Sequence, residues 1–274
     1  MISSDTSNRC PRRSGRILIL LTALITTASV LSAQQPPPNG PGAGGRPGGR
    51  MDLTKIVPPL EESGFKPIFD GKTLERWDCD SEFWRVEDSE IIGETKMDHQ
   101  PKQNIFCIWK GGQPADFDLK LQYKITGVND GNSGIQYRSI ERPDVAKWVM
   151  QGYQADIDLK QNFTGQIYEE RGRGFLALRG QISYVPDGKK VGRLGSVGDG
   201  NELKNLIKID DWNDLEVIAR GNVLVQLING RVMSTLVDDD TAGRKMQGEI
   251  GIQLHRLPNA AMKMETRNIR LKTF

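Results

Sequence analysis

The feature that most constrains the fold is a strict alternation of apolar and polar residues over residues 117–125. Phe117, Leu119, Leu121 and Tyr123 stand at every second position, and polar residues separate them. Side chains two residues apart lie on the same face of a β-strand. The segment is therefore predicted to be a strand with one buried face and one polar face.

Short strands are predicted along most of the remaining chain. Asn229 and Gly230 separate two apolar segments and form the dipeptide that most strongly favours a tight β-hairpin turn. Only residues 202–209 have helical spacing, with Leu203, Leu206 and Ile207 on one side. Other predicted strands cover residues 215–219, 223–228, 231–237, 248–254 and 268–272. Many short strands and almost no helix predict an all-β, two-sheet sandwich.

The N-terminal segment has the composition of an export signal. A basic cluster that includes Arg12 and Arg13 precedes an apolar run over residues 17–31, which ends at Ser32 and Ala33. This pattern is typical of a cleaved secretory signal, and we predict it over residues 1–33. The alternative is a membrane anchor, but the run is short for a span. We expect an exported protein, periplasmic or extracellular, with no stable membrane insertion after cleavage.

A linker is predicted to follow the signal. Residues 34–52 are rich in Pro and Gly, which cannot pack a core. The folded domain is therefore predicted over residues 53–274. The formal net charge of the chain is only +2, and without a basic excess we expect no nucleic-acid partner.

Two cysteines remain after signal removal, Cys79 and Cys107. In an exported protein such a pair favours one disulfide bond. The alternative is a pair of buried thiols on neighbouring strands.

Several kinds of active site are excluded by the sequence. The chain contains only two histidines, His99 and His255, and it has no phosphate-binding loop, dinucleotide fingerprint or zinc-ligand spacing. Its chemistry must therefore use carboxylates, Arg, Tyr and at most one or two His. No cofactor is predicted with certainty. A divalent metal on Asp156 and Asp158 stays open, although two ligands are few.

Four predicted strands carry polar residues on the face opposite their apolar residues. Period-two spacing places these residues together: Gln136 with Arg138; Gln154 with Asp156 and Asp158; Gln166 with Tyr168 and Glu170; Gln253 with His255. If the four strands are neighbours, they form a polar groove of amides, acids and aromatic rings that suits sugar hydroxyls. The alternative is an ordinary solvated face, which usually carries Lys, Glu and Thr.

Motifs spread over residues 64–274 resemble, in order, those of the 3-keto-disaccharide hydrolase domain family. They are GFKPIFDGKTL at 64–74, FW at 83–84, DFDL at 116–119, NSGIQYR at 132–138, GYQ at 152–154, TG at 164–165, DWN at 211–213, LING at 227–230, GIQLH at 251–255 and NIRL at 268–271. The resemblance implies a concanavalin A-like jelly-roll β-sandwich with a concave polar groove. It also implies export and a hydrolase acting on small glycosides oxidised at C3.

A keto group at C3 of such a substrate acidifies the proton at C2. A base can remove this proton, the substituent at C1 then leaves, and water adds back. We expect Asp156 or His255 to be the base, Arg138 to stabilise the ketone oxygen, and Glu170 or Tyr168 to protonate the leaving oxygen. Substrate contacts are expected from Gln136, Gln154, Asp158, Gln166, Tyr168 and Gln253.

One departure from the family pattern concerns the acid. The family commonly has Gly-Tyr-Glu followed by Gln two residues on, whereas this chain has Gln154 and then Asp156. The acid is thus two positions further along the same strand face. Two other functions stay open: a conventional glycosidase using Asp156 and Glu170 as paired carboxylates, and a non-catalytic carbohydrate-binding module.

Overall fold

The computed structural model describes residues 63–274. The predicted signal peptide over residues 1–33, the linker over 34–52 and the first residues of the predicted domain lie outside the described residues. Within the described part, no helix is long and apolar enough to cross a bilayer.

The described chain forms two β-sheets. The larger, which we call the back sheet, has ten strands. In chain order they are β1 (Lys66–Pro67), β3 (Trp84–Glu87), β4 (Glu90–Thr95), β6 (Phe117–Val128), β11 (Gln181–Val185), β12 (Gly192–Ser196), β13 (Asn213–Arg220), β14 (Val223–Ile228), β15 (Arg231–Asp238) and β17 (Ala261–Thr273). Their spatial order is β12-β11-β15-β14-β13-β6-β17-β4-β3, with β1 also paired to β17. Only the β11–β15 pair is parallel.

The second sheet, which we call the front sheet, has seven antiparallel strands. They are β2 (Trp77–Asp78), β5 (Ile105–Trp109), β7 (Asn132–Glu141), β8 (Met150–Asp158), β9 (Ile167–Glu170), β10 (Gly174–Ala177) and β16 (Glu249–Leu254). Their order is β10-β9-β8-β7-β16-β5-β2. All four strands predicted to carry polar faces are thus neighbours in one sheet.

One apolar core joins the two sheets. The alternating residues of β6 belong to it, and so do Ile135, Tyr153 and Ile252 of the front sheet. Strand β6 buries every second side chain, whereas β7, β8 and β16 of the front sheet are buried on both faces, so the polar residues of these strands are enclosed as well. The predicted all-β, jelly-roll sandwich of two sheets is confirmed.

The predicted helix is shorter than expected. It spans Gly200–Lys204 and begins where the Asp199 side chain accepts hydrogen bonds from the backbone N–H groups of Asn201 and Glu202. The prediction over residues 202–209 was therefore wrong at both ends. After Lys204 the backbone N–H groups of Leu206 and Ile207 bond three residues back, so the α-helix does not continue.

The predicted disulfide bond is present between Cys79 and Cys107, whose Cα atoms are 4.2 Å apart. Cys107 lies on β5 of the front sheet, and Cys79 follows β2 at the sheet edge. The bond therefore ties the short edge strand β2 to its neighbour.

Replacing both cysteines by alanine is expected to lower the free energy of unfolding by about 3 kcal/mol, because the bond closes a loop of 28 residues in the unfolded chain. Urea unfolding of the wild type and of the Cys79→Ala/Cys107→Ala variant measures this difference. Reductant should destabilise the wild type by a similar amount and leave the variant unchanged. Equal stabilities of wild type and variant would contradict the prediction.

Candidate functional site

A row of polar and aromatic residues crosses the front sheet on the face opposite the core, which we call the polar face. Gln136 of β7 pairs with Gln154 of β8, Gln154 with Tyr168 of β9, and Tyr168 with Phe175 of β10. Residues directly opposite each other on neighbouring strands share a face. The row therefore runs without interruption from the middle of the sheet to its β10 edge.

The amides of this face form a connected set. Gln136 Nε2 donates to Gln154 Oε1 at 3.0 Å, and Gln154 Nε2 lies 3.5 Å from both Asp156 Oδ1 and Gln253 Oε1. Gln253 is fully buried, and its Nε2 has no hydrogen-bond partner in the described part of the chain. A buried donor without a partner is costly, so this amide is a candidate for ligand contact.

Gly134 makes room for this arrangement. It pairs with Asp156, and a Cβ at its position would lie 2.6 Å from the side chain of Gln154. The missing side chain lets Gln154 lie across the neighbouring strand toward Gln253. This explains physically why a glycine stands in the middle of a central strand.

Asp156 is the most perturbed acid of the polar face. Its side chain is buried, and burial, followed by repulsion from Asp158, raises its pKa to about 7. Its Oδ1 accepts hydrogen bonds from the Ile157 backbone N–H, from Asn132 and from Gln154. No hydrogen bond within the described residues ends on Oδ2, so that oxygen is available to exchange a proton.

Glu170 and Tyr168 lie two residues apart on β9, on the same face. Glu170 is buried, its Oε1 accepts a hydrogen bond from Asn104 at 3.3 Å, and burial raises its pKa. Burial, followed by the charges of Glu170 and Asp156, raises the pKa of Tyr168 above its ordinary value. Tyr168 therefore keeps its proton at neutral pH and can donate it.

His255 follows β16 and opens onto a cleft of about 370 Å³ at the end of the polar face. Burial lowers the pKa of His255, so its ring is neutral at pH 7. Its Nδ1 lies 3.0 Å from the carbonyl oxygen of Arg256, which can only accept, so Nδ1 carries the proton. Nε2 then holds a lone pair. Asn132 lines the same cleft and also donates to Asp156, so the cleft and the acid are neighbours.

Two residues predicted to contact substrate, Asp158 and Gln166, have hydrogen-bond partners within the fold. Asp158 Oδ1 accepts from the backbone N–H groups of Phe163 and Thr164, each at 2.9 Å, and so holds the turn after β8. Gln166 Nε2 donates to the Asn162 carbonyl of that turn at 2.7 Å. Over residues 63–274 no group of three or more His, Cys, Asp or Glu side chains is placed to hold a metal ion.

Arg138 does not lie on the polar face beside Gln136, which corrects its predicted placement. The register between β7 and β8 shifts after Tyr137, and Arg138 adopts a left-handed backbone conformation with φ of 47°. This β-bulge adds a residue and turns the side chain away. The buried guanidinium donates instead to the carbonyl oxygens of Ala115, Gly221 and Lys245 and to Asp116. The N–H groups of the Arg138 guanidinium are thus used to hold the segments at Ala115, Gly221 and Lys245 together.

Some residues at this face could not be identified from the sequence. Asn104 reaches Glu170 from the start of β5, 66 positions away in the chain. Phe106, Ile108 and Met150 form a separate buried apolar cluster. Phe106 pairs with Gln253, and Ile108 with Gly251, so the cluster occupies the β5 side of the polar face. No local pattern could have predicted these long-range contacts.

Several solved structures are similar to this chain at low sequence identity. A candidate glycosyl hydrolase from Parabacteroides distasonis ATCC 8503 is 18% identical, covers 77% of this chain and 94% of its own, and has a TM-score of 0.49. The carbohydrate-binding module CBM66 from Bacillus subtilis is 14% identical, covers 77% of this chain and 96% of its own, and has a TM-score of 0.41. A B. subtilis protein of unknown function with a galectin-like fold is 11% identical, covers 76% of this chain and 94% of its own, and has a TM-score of 0.48. At such low identity these likenesses say nothing of activity.

No curated protein matches the sequence significantly. The family model of the 3-keto-alpha-glucoside-1,2-lyase-like domain, in contrast, matches residues 64–272. This range covers both sheets and every residue of the polar face. The chain therefore belongs to the 3-keto-alpha-glucoside-1,2-lyase-like domain family, a family of carbohydrate-active domains.

Proposed function

We propose that this protein is an exported enzyme that cleaves 3-keto-glycosides by proton abstraction at C2, elimination at C1 and rehydration. The observation that carries the proposal is Asp156, a buried acid with a pKa of about 7 in a network of amides on the polar face. A general base works best when its pKa lies near the working pH. Family membership supports the substrate class.

The first step is assigned to Asp156. Its carboxylate takes the proton from C2, and the electron pair of the C–H bond moves into the C2–C3 bond while the C3 carbonyl becomes an enolate. The buried, unpartnered Nε2 of Gln253 is a suitable donor to the enolate oxygen. This assignment replaces Arg138, whose donors are engaged elsewhere.

The second step is the loss of the C1 substituent. The enolate reforms the C3 ketone, a double bond forms between C1 and C2, and the C1–O bond breaks. Tyr168 is assigned as the acid that protonates the leaving oxygen, because its phenol is protonated at neutral pH and the residue pairs with Gln154 on the same face as Asp156. Water then adds its OH to C1 and a proton to C2, which gives the free 3-keto-sugar. His255, neutral and at the cleft, is suited to guide this water.

A conventional glycosidase would use the same face differently. Asp156 and Glu170 would act as a carboxylate pair on an unoxidised sugar, without removal of the C2 proton. A binding module would hold sugars on the amides without turnover. Only the proposed reaction removes the proton at C2, and only a binding module leaves the C1–O bond intact.

Substrate comparison separates these functions. The purified protein is incubated with phenyl 3-keto-glucoside, with the same compound deuterated at C2, and with phenyl glucoside. We expect turnover of the keto compound alone, slowed by deuterium, with kcat/KM rising through about pH 7 as Asp156 loses its proton. Hydrolysis of phenyl glucoside, with no effect of deuterium on the keto compound, would indicate a glycosidase. Binding without turnover of either compound would indicate a binding module.

A further inference from the structure

Two exposed aromatic side chains, Phe163 and Phe175, lie beside the proposed catalytic residues at the β10 edge of the polar face, and we call this pair the aromatic ledge. The rings of Phe163 and Phe175 are stacked with centroids 5.6 Å apart, and the rings of Phe175 and Tyr168 are 5.0 Å apart. Phe163 is 41% exposed and Phe175 is 38% exposed. Contiguous exposed apolar surface, unlike single exposed side chains, can mark a binding site.

The ledge is continuous with the catalytic row. Phe175 pairs with Tyr168, and Tyr168 pairs with Gln154, so two strand spacings of about 4.8 Å each separate Phe175 from Gln154. This separation of about 10 Å places the ledge beside the amides that are proposed to bind the sugar, rather than on them. Phe163 also lines the cleft that His255 opens onto.

We propose that Phe163 and Phe175 form the binding subsite for the leaving group and select glycosides whose leaving group has a flat apolar face, such as an aromatic ring. The inference rests on the proposed function, because Tyr168 lies between the ledge and Gln154 and protonates the leaving oxygen. A keto-sugar on Gln154, Asp156 and Gln253 then directs its C1 substituent over Tyr168 onto Phe175. The ledge bears no charge, and ring faces attract other rings and the C–H faces of sugars.

The chemistry of the ledge argues against a hydrophilic leaving group as the preferred occupant. Neither phenylalanine carries a hydrogen-bonding group, and the amides of Gln154 and Gln136 lie on the other side of Tyr168. Binding energy at the ledge must therefore come from apolar contact. Removal of a ring should weaken binding of an aromatic leaving group and leave a methyl leaving group unaffected.

The test compares phenyl and methyl 3-keto-glucosides in the wild type, Phe175→Ala, Phe163→Ala and Phe274→Ala. Phe274 is a matched control, since it is 54% exposed but follows the back-sheet strand β17. We expect each ledge variant to raise KM for the phenyl compound roughly 5- to 10-fold with little change in kcat. Neither variant should alter KM for the methyl compound, and Phe274→Ala should change nothing. Unaltered selectivity in both ledge variants would overturn the proposal.

A separate binding measurement makes the test independent of catalysis. Saturation-transfer NMR and calorimetry with unoxidised phenyl and methyl glucosides measure ledge contact even if the wild type turns over no keto compound. If the wild type binds the phenyl compound more tightly and Phe175→Ala loses this preference, the ledge is supported as a binding subsite. This result would stand even if no keto compound is turned over and the proposed reaction is wrong. Equal binding of the two compounds would overturn it. The oligomeric state of the wild type and of Phe175→Ala is measured by sedimentation. If the only effect of Phe175→Ala is to dissociate a dimer, the ledge binds a second copy of the chain and the proposal is overturned.

Discussion

Replacing Asp156 by asparagine is expected to reduce turnover of a 3-keto-glucoside by about 10²- to 10⁴-fold, the usual contribution of a general base. The same change is expected to stabilise the fold. Asp156 is 5% exposed, and its pKa is raised from an ordinary value of 3.8 to about 7, so its charged form is disfavoured in the folded state. Asparagine keeps the Oδ1 acceptor and removes the charge. The gain at pH 8 is at most about 4 kcal/mol.

The pH dependence of this gain follows from the direction of the pKa shift. Between the unfolded and folded pKa values, the folded wild type holds a proton that the unfolded chain releases. The wild type therefore loses stability as the pH rises from about 4 through about 7. The advantage of Asp156→Asn should be absent near pH 4 and complete above pH 8, as measured by urea unfolding at each pH.

Asp130→Asn is the control for Asp156→Asn. Asp130 lines the neighbouring cleft, but its side chain is 68% exposed and forms an ion pair with Lys160. Its replacement should change stability by no more than about 1 kcal/mol at any pH. If Asp156→Asn keeps near wild-type turnover, Asp156 is not the base, and His255 becomes the next candidate for that role.

Replacing Arg173 by methionine is expected to destabilise the fold by about 3–5 kcal/mol. The guanidinium contacts three acids: Glu169 at 2.5 Å, Asp238 at 2.7 Å and Asp240 at 3.2 Å. The side chains of Glu169 and Asp238 are 3% and 1% exposed, so removal of the cation leaves buried charges uncompensated. Tyr153 of the front sheet donates to the same Asp238 of the back sheet. The network thus connects the two sheets.

The matched control is Arg85→Met. Arg85 also contacts two acids, Glu87 and Glu94, but its side chain is 43% exposed and both partners lie in solvent. Water solvates these charges, so we expect a loss of only about 0–1 kcal/mol. Urea unfolding of both variants gives the comparison. Equal losses would show that burial does not set the strength of the Arg173 network.

The sequence alone determined which strands have two different faces. Gln136, Gln154, Tyr168 and Gln253 lie on the polar face as period-two spacing predicts, because alternation is a local property of an extended chain. The family motifs, the all-β fold and the Cys79–Cys107 bond were also within reach of the sequence. The exact end of the helix could not be predicted from the sequence, because it depends on the turns that follow the helix.

Tertiary structure decided which polar residues can act. One extra residue in the β7 bulge moved Arg138 off the face, and no local signal marks such a bulge. Asp158 follows the alternation of β8, yet its carboxylate is engaged by the turn at Thr164. The raised pKa of Asp156 comes from burial and from Asp158. Periodicity assigns a side chain to a face, but the hydrogen bonds, burial and neighbouring charges that set its chemistry come from strands distant in the chain.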